Sequence, residues 1–241
     1  RRGGGAVVAD TPLRPDEAPA WLAPLVRALE DGEQASAARR LLGKRVRQAD
    51  GEDEAAVLIL FAGDPGAAEL PKDARVLLTH RTPRMRSHSG QMAFPGGHID
   101  LGDAGPVAAA LREAEEETGL DPDRVIPLAV MATATTGGSN RRVRPVVAYS
   151  PDPGDVHPAS EEETDAVFFA PVRELVAPAN RAMLGWKAWA GPSFWAGEYL
   201  VWGFTGVLLA VALELGGWAQ PWDERPGDLR AALARSANGE R

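Results

Sequence analysis

The sequence predicts a single α/β domain: a mixed β-sheet with helices on both faces. Three observations lead to that class. Apolar runs of strand length, bounded by glycine or proline, recur along the chain. Residues 106–118 have strong helical propensity. Strands and helices alternate irregularly, without the βαβ period of a parallel sheet. With 241 residues, one domain can bury a sizeable core.

Taken in order, residues 1–18 are rich in Gly, Asp and Pro and read as a flexible arm. Trp21, Leu22, Leu25, Val26 and Leu29 fall at helical spacing, and Leu41–Val46 continues a helical lead-in. Ala55–Phe61 (AAVLILF), lying between Gly51 and Gly63, predicts a buried strand, and Arg75–His80 (RVLLTH) a second. His80 reads as a packing residue of that strand. Gln91–Phe94 is a short strand stopped by a turn at Pro95-Gly96-Gly97. Pro106 suits the first position of the helix over 106–118, and Gly119 followed by Pro122 suits its end. Val125–Ala134 and Val143–Tyr149 are strands joined by the polar loop Thr135–Arg142, and Ala166–Ala170 is another strand. Residues 192–203 read as a strand pair around Ala196-Gly197, followed by the helix Thr205–Leu215. The domain proper then spans 19–215, and residues 216–241 form a packed arm with a frayed tail.

Composition excludes several functions. The formal charge is −8, which argues against general nucleic-acid binding and against an anionic membrane surface. The chain has no cysteine, so a disulfide framework, a thiolate zinc site and a cysteine nucleophile are all excluded. That fits a reducing, cytoplasmic setting and leaves any metal to oxygen donors or the four histidines. No apolar segment follows the N-terminal Arg-Arg-Gly-Gly-Gly, so no signal peptide is expected. The longest apolar stretch lies between Glu198 and Glu214. It is shorter than the roughly 20 residues a membrane span needs. Five of the seven tryptophans fall between Trp186 and Trp218, where they would fill a core or the face of a homodimer.

The chemical signal is strongest in Arg112-Glu113-Ala114-Glu115-Glu116-Glu117-Thr118-Gly119. At about 100° per residue, Glu113, Glu116 and Glu117 share one helical face of roughly 100°, while Glu115 points away. Each close pair of like charges costs about 0.2–0.5 kcal/mol. The helix dipole adds about 0.3–1 kcal/mol per carboxylate near the C-terminal end. A solvated charged face is one reading. A site for a divalent cation is the other, because a cation reverses the sign of both penalties, and hard oxygen donors suit Mg²⁺ or Mn²⁺. Ahead of the helix, Gly96-Gly97 allow backbone N–H groups to approach a phosphate. Before them runs a basic segment with Arg75, His80, Arg81, Arg84, Arg86 and His88. In an acidic chain, that pairing suggests metals on a bridging diphosphate and arginines on peripheral phosphates.

These residues resemble the Nudix hydrolase family. Gly97 opens the family's box, and Arg112, Glu113, Ala114, Glu116, Glu117, Gly119 and Leu120 close it. There are two departures: the first acidic residue is Asp103 rather than Glu, and the spacing to Arg112 is one residue longer. Leu77-Leu78-Thr79-x-Arg81, Arg86, Gly90 and Phe94-Pro95-Gly96-Gly97 look like the coenzyme A diphosphatase branch, as does Trp202-Gly203-x-Thr205. The matches run from about Leu77 to about Leu215.

The resemblance implies an αβα sandwich of the Nudix type and attack of water on a diphosphate with Mg²⁺ or Mn²⁺. It implies Glu113, Glu116 and Glu117 as metal ligands, Arg112 as the residue orienting them, and Gly96 and Gly97 as the loop beside the phosphate. Glu116 and Glu117 would be catalytic with Arg112. A further acid comes from Ser160-Glu161-Glu162-Glu163, where Glu163 fits best, eight residues before Pro171. Arg81, Arg84 and Arg86 would bind substrate, some of them reading the 3′-phosphate of coenzyme A. The implied partner is a small coenzyme A-like nucleotide. The alternatives are hydrolysis of another nucleoside diphosphate derivative, such as ADP-ribose or NADH, and a non-catalytic nucleotide-binding domain.

Overall fold

The computed structural model describes residues 10–42, 52–84, 89–136, 140–159, 162–187 and 189–240. A 3-10 turn (Pro15–Glu17) leads into helices α1 (Ala23–Glu30) and α2 (Gln34–Leu42). Strands β1 (Ala55–Ala62), β2 (Arg75–Arg81), β3 (Met92–Ala93) and β4 (Gly96–His98) precede helix α3 (Pro106–Thr118). Strands β5 (Ile126–Val130), β6 (Ala134–Thr135), β7 (Arg142–Ser150) and β8 (Thr164–Pro171) complete the larger sheet. After the short helix α4 (Val172–Val176), a second sheet holds β9 (Arg181–Trp186), β10 (Trp189–Ala196), β11 (Tyr199–Val201) and β12 (Pro226–Asp228). Helix α5 (Gly203–Leu215) separates its last two strands, and α6 (Leu229–Leu233) follows.

Strand β1 is apolar throughout because both of its faces are covered. It pairs parallel with β7 and antiparallel with β2 and β4, so the sheet is mixed. Its side chains alternate. Leu58 and Leu60 join Val107, Leu111 and Ala114 of α3 in one core. Ile59 and Phe61 join Leu25 of α1 and Leu209 of α5 in the other. Helices therefore cover both faces of a mixed sheet, the architecture the sequence predicts. Trp21, a buried core residue, and Trp218, half-buried against the core, close the second core with Phe61 at ring separations of 6.5 and 5.6 Å. Among the described residues, no helix is long and apolar enough to cross a membrane.

Several features differ from expectation through contacts distant in sequence. The turn expected at Pro95-Gly96-Gly97 continues into β4, which lies against β1. The approach needs glycine: a Cβ on Gly96 would fall 2.3 Å from the Ala56 carbonyl oxygen. The strand expected over Val125–Ala134 is interrupted after β5, where Met131 N–H donates to the Pro145 carbonyl at 2.9 Å. The N-terminal arm is docked from Asp10 onward, with Arg14 N–H donating to the Pro127 carbonyl at 2.8 Å. Residues 1–9 of that arm and Gly43–Val46 of the lead-in lie outside the described residues. The C-terminal segment is not frayed up to residue 240. Strand β12 runs parallel to β9, and Asn238 is fully buried, its amide exchanging hydrogen bonds with the Leu200 backbone as a neighbouring strand would.

Candidate active site

Helix α3 lies across β1 and β4 and is held at both ends by other parts of the chain. Its N-cap, Gly105, has no side chain to offer. The Asp10 carboxylate takes that place, accepting from Val107 N–H at 3.0 Å and Ala108 N–H at 2.9 Å. At the other end, Gly119 adopts the left-handed conformation (φ 67°). There the Glu117 and Thr118 carbonyls accept from Ala159 and His157 N–H groups. These bonds fasten the loop after β7 to the end of α3, and Glu163 lies close enough to repel Glu117 electrostatically.

The face carrying Glu113 and Glu117 meets the Gly96-Gly97 backbone. Glu117 is buried, and its Oε2 accepts from Gly96 N–H at 3.1 Å. A Cβ on Gly97 would come within 2.5 Å of the Glu113 carboxylate, so a side chain there would push that carboxylate aside. Glu116 stands at the solvent rim, its side chain 59% exposed. Glu115 is also exposed.

Arg112 is the hub of the site. Its Nε and Nη2 form a two-pronged pair with Asp103 at 3.0 and 2.9 Å, and Nη2 also donates to the His98 carbonyl. Its Nη1 reaches Glu113 at 3.0 Å and Glu116 at 3.1 Å. The shorter acid at position 103 and the added loop residue therefore still deliver a carboxylate to the guanidinium. That hydrogen bond holds the Asp103 carboxyl below its ordinary range and Arg112 above its own.

The remaining charges are less compensated. Burial pushes Glu113 up, against the opposing pull of Arg112. Burial drives Glu117 up to about 7, only partly offset by the Gly96 N–H and the Arg81 charge, with Glu113 and Glu163 adding repulsion. Arg81, at the end of β2, thus lies within electrostatic reach of Glu117, and its buried Nε has no hydrogen-bond partner among the described residues. Glu163 is exposed at the start of β8, where its carbonyl accepts from Thr82 N–H at 2.9 Å. Arg84 is exposed. Arg86, His88 and Glu161 lie outside the described residues.

The donors fit a hard divalent cation in type: acid oxygens only, two of them on a buried face that disfavours their own charge. They are not drawn together around a point. Among the described residues, no three His, Asp or Glu side chains are close enough to hold one ion. Glu116 is instead turned onto Arg112. Sequence reasoning missed Asp10, whose only signal is an Asp in a polar arm. It also missed Asp53, which binds Arg144 at 2.8 Å and Thr133 beside β7.

A helix with a Glu-bearing face, set on a mixed sheet and capped by a diglycine strand, defines a class, and comparison with known proteins agrees. The NUDIX domain family matches residues 54–190, and the chain belongs to that family. It is a Nudix hydrolase. Such enzymes act on nucleoside diphosphate derivatives and generally use divalent metal ions. It is 36% identical over 180 residues to an uncharacterized Nudix hydrolase NudL of Klebsiella pneumoniae, an alignment covering 70% of this chain and 86% of that protein. It is 38% identical over 151 residues to the protein of the same description from Escherichia coli K12, covering 58% of this chain and 75% of the other. A solved Nudix hydrolase from M. Smegmatis, RenU, is 27% identical, with a TM-score of 0.40 over 54% of this chain and 78% of its own.

Proposed function

We propose that the chain hydrolyses the diphosphate of coenzyme A or its thioesters, yielding 3′,5′-ADP and 4′-phosphopantetheine or its acyl form. The observation that carries this reading is Arg81. It is a cation within electrostatic reach of the Glu117 carboxyl whose buried Nε has no partner among the described residues, and it belongs to the Leu77–Gly97 pattern that resembles the coenzyme A branch. A phosphate oxygen supplies the acceptor that Nε lacks.

Glu113, Glu116 and Glu117 are the residues that would hold Mg²⁺ or Mn²⁺. When bound, such an ion neutralises diphosphate charge and makes water a better nucleophile. The protein's own part is positional. Arg112, anchored by Asp103, keeps Glu113 and Glu116 on the working face. The Gly96 N–H orients Glu117, and Gly97 leaves room above Glu113. Arg81, Arg84 and Arg86 bind the substrate's phosphates, one of them at the 3′-phosphate. Glu163 is the acid nearest in role to a general base, because it approaches Glu117 from a separate strand.

Incubation with coenzyme A and Mg²⁺ or Mn²⁺ is expected to release 3′,5′-ADP, detected by chromatography. Absence of release with both ions rejects the reading. A panel with ADP-ribose and NADH is expected to show slower turnover than coenzyme A, and the reverse order moves the substrate to the other derivatives.

A further inference from the structure

His80 is buried on the face of β2 opposite the glutamates, one residue before Arg81. Its ring packs at a tilt against Tyr199, with centroids 4.7 Å apart, and Tyr199 in turn stacks on Phe168 at 5.6 Å. Among the described residues, the hydrogen-bond partners of the ring are three oxygens. Nε2 faces the Gly90 carbonyl at 3.1 Å and the Asn238 carbonyl at 3.0 Å. Both are acceptors only, so Nε2 carries the hydrogen. Nδ1 meets the Asp165 carboxylate on β8. One ring thus joins three segments: the base of the loop after β2, the C-terminal segment, and the edge strand β8.

The two segments at Nε2 are packed tightly on each other. Gly90, at φ 73°, has no room for a side chain: a Cβ there would fall 2.4 Å from the Asn238 carbonyl oxygen and 2.9 Å from Glu240 N. Glu240 is itself anchored, its carboxylate accepting from Trp202 Nε1 at 2.7 Å and Asn238 Nδ2 at 2.9 Å. The base of the loop is closed by backbone bonds from Arg81 N–H to the Gln91 carbonyl and from Gly90 N–H to the Arg81 carbonyl.

We infer that His80 is a positioning residue and the C-terminal segment around Asn238 its brace. Together they fix, from the far side of the sheet, the strand end that presents Arg81 to the anionic substrate. The inference rests on the proposed role of Arg81, and it explains why a segment beyond the matched residues 54–190 bears on the site. The chemistry lies in Nε2, which donates to both carbonyls; Asp165 orients the ring.

The test separates the two ring nitrogens in the 241-residue chain with Mg²⁺. His80→Phe keeps the ring contact with Tyr199 and removes both ring nitrogens, His80→Gln restores a donor near Nε2, and His80→Asn restores one near Nδ1. On whichever diphosphate of the substrate panel is turned over, His80→Phe and His80→Asn are expected to raise KM about tenfold, with kcat changed less than about twofold, and His80→Gln is expected to stay near wild type. A chain ending at Arg235 is expected to behave like His80→Phe. Independently of substrate, amide hydrogen exchange at residues 78–84 and 89–94 is expected to quicken in His80→Phe and in the shortened chain, and not in His80→Gln. Unchanged exchange at those residues overturns the brace. So does unchanged KM with only a lower Tm, or a His80→Gln variant as impaired as His80→Phe. If no diphosphate is hydrolysed, the proposed function fails while the exchange experiment still decides the brace.

Discussion

Helices α3 and α5 have the same length, thirteen residues, and lie on opposite faces of the same sheet. α5 is apolar almost all round and buries nearly its whole length, with Leu209, Ala210 and Leu213 fully enclosed. α3 leaves much of its surface exposed, and its buried residues include a carboxyl group, Glu117. The first helix gains from every burial. The second includes a burial that opposes folding, because desolvation has driven the Glu117 carboxyl up to about 7. Stability and chemistry are thus separated onto two sides of one sheet, and this difference can be tested from either side.

The largest effect is expected from Glu117→Gln, which should reduce turnover by at least about a hundredfold in a product-release assay. It should not destabilise the metal-free fold. A carboxyl whose folded pKa lies above its ordinary 4.5 retains in the native state a proton that the unfolded chain has released. In chelator-treated protein its contribution therefore falls as pH rises from about 4.5 to about 7 and stays low above that, by an amount on the order of 3 kcal/mol. Urea titrations at pH 5 and pH 8 should show this loss in the wild type relative to Glu117→Gln. An equal slope in both proteins would mean that Glu117 is not buried as described.

Leu209→Ala tests the other side. It should cost about 2–5 kcal/mol in urea unfolding, through lost burial and the cavity left behind, with kcat per folded molecule unchanged. Asp103→Asn removes the charge that anchors Arg112, and activity should fall about 10- to 100-fold with little change in stability. Asp10→Ala should have the smallest effect, a loss of about 1 kcal/mol as α3 loses its N-cap, read from the urea midpoint. If Asp10→Ala lowers activity more than stability, the arm positions the site as well as capping the helix.

Much of this was legible in the sequence, for local reasons. The helical period places Glu113, Glu116 and Glu117 on one side of α3, and the strand-length run AAVLILF reads as a buried strand. The missing parts are contacts between residues far apart in the chain. Asp10 reaches α3 across 97 positions, and Asn238 reaches Leu200 across 38. Strand β9 was overlooked because much of its stabilisation comes from β10 and β12, which its own residues do not reveal. Gly96-Gly97 signals a turn in isolation. It became a strand because β1 offers it a backbone to pair with.

The sequence by itself determined which side chains share a face, because a helix repeats at a fixed angle whatever surrounds it. It also determined that no thiolate could serve the site, there being no cysteine, which leaves oxygen donors or the four histidines. Only the tertiary structure decided how the three glutamates divide: Glu117 buried under the Gly96 N–H, Glu113 beside Gly97, and Glu116 at the rim on Arg112. Burial and charge pairing depend on what is packed against a residue. Here the partners come from the glycine strand, from Asp103, and from a histidine-braced strand end whose support arrives from the far end of the chain.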